Sequence, residues 1–415
     1  MSFIRPRGIA LLGLAAGLLA MLAAPHAEAA QEGKVKVMSR NLYLGADLTP
    51  AIEATTPTEL AFEAQGIWND VATTDFPHRA KLLAKEIDTA KPDLVGLQEV
   101  ALWRGDFTPP SQDGPVTPAE DVEYDFLALL MKQLNKGKKG PKYSVVRQQK
   151  EADIEAPLAG GDPGDGRLTM RDVVLKRKDK GDVNVSFDYS QRFRKDHSLS
   201  IENIGGTPLD ITVWRGFVAM DANVRGTKFR FVNTHLEAFD NDAKLAQAQE
   251  LVAGIAEVGA GEQDEIGPAN PGGTSLPVVL VGDLNTDNEI VEDEGDTPQH
   301  QADELPYAAI VDAGLEERSF DGVEEDAIDD AVYSCCFDDE LIGEDPSTAL
   351  DDIDHTVDHI MVSDDDHGAG VDPNNNDVEL VNSFNTGDNP AEFARFGRWA
   401  SDHLGVVSVL QFPTD

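Results

Sequence analysis

Residues Val278 to Asp287 read VVLVGDLNTD, a run of aliphatic and β-branched residues that closes on an acid and an amide two positions apart. A run this short, bounded by turn-forming residues, predicts a buried strand that delivers Asp283 and Asn285 at its end. Four other segments share the pattern: SRNLYLG around Asn41, DLVGLQEV with Glu99, FVNTHLEAF with His235, and SDHLGVVSVL with Asp402 and His403. In each, a polar residue ends or adjoins an apolar run, so strands of one core would project acids, amides and two imidazoles into a common cleft. Side chains alternate along an extended segment, so Asp283 and Asn285 are expected to face the same side. Such a collection suits metal-assisted hydrolysis.

Working outward, strands are predicted at Val35–Met38, Leu94–Gln98, Tyr143–Arg147, Asp172–Lys176, Phe217–Val224, Lys228–Thr234, Val278–Gly282, Val357–Val362 and Gly405–Leu410. Helices are predicted at Pro77–Ala90, where a proline opens an amphipathic run, at Ala119–Leu134 with Val122 on the apolar side, and at Ala243–Val258. Segments 101–120, 150–170, 260–275 and 286–350 read as loops or insertions. Strands interleaved with helices give a layered α/β fold in which two packed sheets carry flanking helices.

The N-terminus has Arg5 and Arg7, an apolar stretch from Gly8 to Ala24, and small residues at Ala27-Glu28-Ala29. These are the parts of a secretory signal peptide, residues 1–29, with cleavage near Ala29, so the protein is expected to be secreted or periplasmic. No second apolar stretch of about 20 residues follows, which argues against a membrane anchor. One domain, 33–413, accounts for the remainder, and nothing in the sequence implies a protein partner.

The net charge is −42 and unevenly spread. Between Thr286 and Pro390 stand 33 Asp or Glu against one base, Arg318, whereas 16 of the 34 Lys and Arg lie between Lys132 and Lys195. The acidic stretch reads as a solvated surface suited to high salt, with calcium-binding loops as the alternative. The basic stretch could supply a track for a polyanion. The two cysteines, Cys335 and Cys336, are adjacent. Their Cα atoms would sit about 3.8 Å apart across a trans peptide, so they read as buried thiols or a strained ring.

The segments QE, NTHL, GDLN, VDHIMV and SDH, in this order and spanning Val35 to Leu410, resemble the endonuclease/exonuclease/phosphatase superfamily, which includes deoxyribonucleases, abasic-site endonucleases and bacterial sphingomyelinases. The resemblance implies two mainly antiparallel sheets in a four-layer α/β/β/α sandwich, here with long acidic insertions within 286–390. It implies Mg²⁺ as cofactor, with Mn²⁺ or Ca²⁺ as alternatives, held by Glu99 and Asp402 and supported by Asn41. His403 is implied as the base for water, oriented by Asp358. His235 would stabilise phosphate charge or protonate the leaving oxygen, Asp283 would orient or deprotonate the water, and Asn285 would donate to a non-bridging oxygen. Arg215 is the implied phosphate-side arginine. Asp172 is the nearest candidate partner for His235, with Arg171 beside it as a phosphate contact. The expected substrate is a phosphodiester, with nucleic acid favoured, a phospholipid headgroup next and a small phosphate ester after it. His235 tilts the reading away from the abasic-site branch.

Physical chemistry asks for the same parts. A phosphodiester is an anion that resists an anionic nucleophile, so the site must supply positive charge, a base and donors for the equatorial oxygens. Imidazole titrates near neutrality and can take a proton from water. A binding module would have no use for a histidine paired to a carboxylate.

Overall fold

The computed structural model describes residues 33–107, 118–137, 142–160, 164–178, 182–201, 209–257, 276–287, 298–319, 333–342, 350, 353, 355–363, 378–389 and 397–413. The expected signal peptide at 1–29 lies outside them, as do much of the acidic stretch and the loop 260–275.

The described elements run β1 (Lys34–Asn41), α1 (Thr49–Ile52), α2 (Pro57–Thr73), α3 (Phe76–Ala90), β2 (Leu94–Gln98), β3 (Leu102–Gly105), β4 (Asp121–Asp125), α4 (Phe126–Leu134), β5 (Tyr143–Pro157) and β6 (Asp165–Arg177). They continue with β7 (Val183–Arg192), β8 (His197–Ile201), β9 (Leu209–Val213), β10 (Gly216–Val224), β11 (Thr227–His235), α5 (Asn241–Glu257), β12 (Val278–Asp283), α6 (Pro298–Asp312), β13 (Glu316–Glu317), β14 (Asp358–Ser363), β15 (Glu379–Thr386) and β16 (Gly405–Gln411).

One sheet has the order β15-β16-β1-β2-β6-β5-β9-β8, with β3 beside β6 and β4 beside β3; the other has the order β13-β14-β12-β11-β10-β7. The β1–β2 and β11–β12 pairs are parallel, and the other strand pairs are antiparallel. Central strands are covered on both faces, which is why β2, β12 and β14 are apolar runs without alternation. Between the sheets, Val35, Val37, Leu94 and Val174 meet Val218, Phe231, Val279 and Ile360. Outside the first sheet, α3 and α4 add Leu83, Ile87, Phe126 and Leu130. Outside the second, α5 and α6 add Leu251, Ile255 and Ile310. The result is the expected four-layer sandwich.

The sheets approach closely at Gly96 on β2. A Cβ there would stand 2.2 Å from Asn233 Oδ1 and 2.5 Å from Val281 Cγ2, so only glycine fits. The same contact carries a polar link, since Gln98 Nε2 donates to Asn233 Oδ1 at 2.6 Å and Asn233 Nδ2 donates to the Leu97 carbonyl at 3.2 Å.

Three expectations need correction. The run Ala119–Leu134 is not one helix: Asp121–Asp125 pairs with β3, and Asp125 then caps α4 by accepting from the Ala128 amide at 3.3 Å. Val122, expected on a buried face, is 60% exposed because it stands on a strand at the rim of the sheet. The presumed loop 150–170 is mostly the long β5–β6 hairpin, and the presumed loops 101–120 and 286–350 contain β3 and α6. The helix α2 was not foreseen, although Thr56 caps it and Pro57 opens it.

Candidate functional site

Strand register assembles the site. Across the second sheet His235, Asp283 and Asp358 are level on β11, β12 and β14. In the first, Asn41 and Gln98 are level at the ends of β1 and β2, so Glu99 follows directly. His403 precedes β16, which pairs with β1. The same ends of both sheets therefore converge on one cleft, lined by Glu99, Arg215, His235, Asp283, Asn285, Asp402 and His403.

Asp283 is the hub. Its Oδ2 accepts from Asn41 Nδ2 at 2.8 Å and lies 3.5 Å from His235 Nε2 and 3.8 Å from His403 Nε2. Its Oδ1 accepts from the Asn285 amide at 3.0 Å. Burial raises its carboxyl above the usual range, against the pull of His403. The chain turns sharply after β12, because Asn285 has φ 48°. The extended geometry expected for this pair is therefore replaced by a left-handed turn, which asparagine tolerates and which keeps both residues at the cleft.

His403 Nδ1 lies 2.7 Å from Asp358 Oδ2. That contact leaves Nε2 facing Asp283 and Asp402, the latter at 4.0 Å. Burial opposes a charge on His403, but Asp358, Asp402 and Asp283 outweigh burial and hold its proton affinity well above that of an ordinary imidazole. His235 is the opposite case. Burial, Arg215 and His403 keep it well below the ordinary value. Arg215 Nη1 stands 2.9 Å from His235 Nδ1, and guanidinium can only donate, so the imidazole is neutral with its proton on Nε2.

Glu99 occupies a left-handed conformation, φ 55°, which is costly for a side chain with a Cβ and is tolerated where surroundings enforce it. The Leu44 amide donates to its Oε2 at 2.6 Å. Burial and then Asp402 push its carboxyl up to about 7. Asp402 is raised as well, chiefly by burial. Glu99 and Asp402 are thus two buried carboxyls on the lining of one cleft, and among the described residues Asp283, Asp358 and His403 bring their oxygens and ring nitrogen close enough together to hold a metal ion.

Several expectations change here. Asn41 is engaged at both ends of its amide: Nδ2 donates to Asp283 Oδ2, which it positions, and Oδ1 accepts from the Tyr43 amide at 2.8 Å. Arg171 is turned from the cleft: it donates to the carbonyls of Val100 and Ala101 and to Asp125 Oδ1 at 2.7 Å, which makes it a strut and not a phosphate contact. Asp172 does not hold His235, because Arg215 takes that place. It is fully buried beside Arg215 and the Glu99 backbone, and burial raises it far above the usual range. Five cations of the Lys132–Lys195 stretch are engaged in ion pairs: Lys142, Arg147, Lys150, Arg167 and Arg171 pair with Asp88, Asp188, Asp153, Asp153 and Asp125.

Other residues of the site carried no motif. Arg40 and Arg79 are fully buried. Arg40 donates to the His403 carbonyl and, at 3.0 Å, to Glu86. Arg79 donates to the carbonyls of Leu42, Tyr43, Thr74 and Ala400 and so ties the loops bearing Glu99's partner and Asp402 together. Lys244 donates to the Asn285 carbonyl and fixes the turn. Glu151 is the extra residue of a bulge in β5, which turns its side chain inward, and burial and Asp172 raise its carboxyl well above the usual range. Cys335 and Cys336 bond to each other across a cis peptide, so the trans spacing is not adopted. Cys335 Sγ lies 3.6 Å from His403 Nε2. Behind the site, His359 Nδ1 lies 2.7 Å from Glu317 Oε2 and its Nε2 lies 3.0 Å from the Thr286 carbonyl.

No family model matches the chain, and no curated protein matches it. Solved structures to which it is similar include an endonuclease/exonuclease/phosphatase family protein from Bacteroides thetaiotaomicron (15% identity, 92% of this chain and 98% of that one, TM-score 0.47). A mannosyl-6-phosphatase of the same organism is another (17% identity, 91% and 100%, TM-score 0.47). D. rerio TDP2 with a single-strand DNA product is a third (14% identity, 91% and 99%, TM-score 0.44).

Proposed function

We propose that the chain is an exported, divalent-metal-dependent hydrolase of phosphoesters, and of phosphodiesters in particular. The observation that carries this reading is His403 Nδ1 at 2.7 Å from the buried Asp358, with Nε2 turned into a cleft that also holds Glu99, Asp402 and Asp283. Export is supported by the N-terminal basic, apolar and small-residue segments. Among the described residues no helix is long and apolar enough to cross a membrane.

In this reading the Nε2 of His403 takes a proton from a water whose oxygen attacks phosphorus, and the ester oxygen on the far side leaves. Asp358 holds the imidazole in place, as a carboxylate does in other base-orienter pairs. Neutral His235 donates from Nε2 to a phosphate oxygen, and Arg215 fixes that tautomer. The free hydrogen on Asn285 Nδ2 donates to another oxygen, its partner being engaged by the Leu236 carbonyl. Glu99 and Asp402 would hold a Mg²⁺, with Mn²⁺ or Ca²⁺ as alternatives, and when bound it would neutralise their charge and polarise the phosphate.

The test is hydrolysis of bis-p-nitrophenyl phosphate by the purified protein with Mg²⁺ and with EDTA. Metal-dependent release of nitrophenolate, lost in His403→Ala, is the expected result. A wild-type protein inert with Mg²⁺, Mn²⁺ and Ca²⁺ alike would overturn the reading.

A further inference from the structure

The cleft does not end at the acids and histidines. It opens into a chamber, and the combined cavity measures 240 Å³. Its far wall is hydrocarbon: Leu60, Ile67, Trp68, Trp103, Leu158 and Leu168, contributed by α2, β3, the β5–β6 hairpin and their neighbours. Trp68 and Trp103 meet edge to face with centroids 6.3 Å apart, and the indole nitrogen of Trp103 is satisfied by the Leu44 carbonyl at 2.9 Å. Apart from the residues already placed at the site, Tyr43, Asp47 and Asp339 are the polar members of the lining. Met170 joins the two regions: it lines the chamber, and its sulfur is 4.0 Å from Arg215 Nη1, the group that holds His235.

A group esterified to a phosphate bound at His235 and Asn285 would therefore meet hydrocarbon on this side. A nucleoside base set against the hydrocarbon wall would give up hydrogen bonds to water that leucine and isoleucine cannot replace, which is unfavourable. An alkyl chain would gain from burial at every carbon. We propose that the chamber receives an alkyl chain, and that the substrate is a phosphoester carrying one. The proposal rests on the phosphohydrolase reading. Soluble alkyl phosphates and bilayer phospholipids share this chemistry.

The chain-length series methyl, butyl and hexyl p-nitrophenyl phosphate, assayed with Mg²⁺, separates the two ideas. Hydrolysis of the methyl ester tests the phosphohydrolase reading alone. The chamber predicts that kcat/KM rises by about fourfold for each methylene that it buries. Binding of methylphosphonate and hexylphosphonate by calorimetry gives the same comparison without turnover. In Ala64→Leu, and in Ala51→Leu should the first not fold, an added side chain fills the chamber, and the hexyl-to-methyl ratio should fall toward one. Phosphatidylcholine vesicles against soluble dihexanoylphosphatidylcholine then distinguish a bilayer lipid from a free one. A ratio of one in the wild type, in both turnover and binding, would overturn the proposal, as would efficient cleavage of plasmid DNA with no chain-length response.

Discussion

The Nδ1 of His403 and the Oδ2 of Asp358 are 2.7 Å apart with both side chains buried, one at 8% and the other at 0% exposure. A pair so enclosed acts as one device, because imidazole without its carboxylate loses both orientation and proton affinity. His403→Ala should lower turnover by about 10²-fold or more. Asp358→Asn should cost a comparable factor, and the double variant little more than either alone. Losses that multiply in the double variant would dissolve the dyad.

Removal and addition of metal should register in stability as well as in rate. Burial and Asp402 push Glu99 up to about 7, so the cluster is short of positive charge and a cation relieves it. Mg²⁺ at a hundred times its Kd should stabilise the fold by about 2.7 kcal/mol, with EDTA reversing the gain. In Glu99→Gln the Mg²⁺-dependent rise in Tm should shrink. An undiminished rise would remove Glu99 from the cation site.

Glu151 offers a test of the buried carboxyls. Both its oxygens are buried without a hydrogen-bond partner, and its folded proton affinity is raised by burial and by Asp172. For an acid shifted this way, the folded state loses stability relative to the unfolded as pH climbs above the ordinary glutamate value, about 4.3. Glu151→Gln should thus leave Tm unchanged near pH 4 and raise it at pH 7 to 8. Thermal unfolding across that range decides the matter, and a variant less stable at pH 8 than the wild type would contradict it.

The His359–Glu317 pair has the reverse sign. Burial disfavours the imidazolium, yet Glu317 and the Thr286 carbonyl prevail and push His359 up to about 9. Stability from the charged form is present in full below the unfolded value of about 6.5. It is lost as pH rises through 9. The Tm gap between the wild type and His359→Gln should therefore be wide at pH 6 and narrow at pH 10. A gap constant with pH would show that the imidazole contributes packing alone.

Much of this arrangement is legible in the sequence, for a local reason. Asp283 and His235 follow apolar runs that can only be buried strands, and a strand end fixes where the next side chain points. Glu99 is found by the same signal. Arg40, Arg79 and Glu151 are not, because what marks them is burial against carbonyls and carboxyls distant in the chain, and no periodicity reports that. Arg171 misled for the converse reason: alternation along β6 puts Asp172 and Arg171 on opposite faces, and which face meets the cleft depends on the pairing with β2 and β3. The helical reading of Ala119–Leu134 failed because an amphipathic tally cannot sense that β3 offers an edge to Asp121–Asp125.

The order of synthesis sets one further property. β1 is the first and β16 the last of the described strands along the chain, yet the two are neighbours in the middle of a sheet, with β16 alone bridging β15 to the rest. Until that final strand arrives, the Arg40 guanidinium has no His403 carbonyl to hold, and the base hangs outside the cleft. On the proposed reading, a chain still emerging, or one clipped ahead of Asp402, would carry His235 and Asn285 without the histidine that activates water. If His403 is the base, hydrolysis would begin only once that strand has docked.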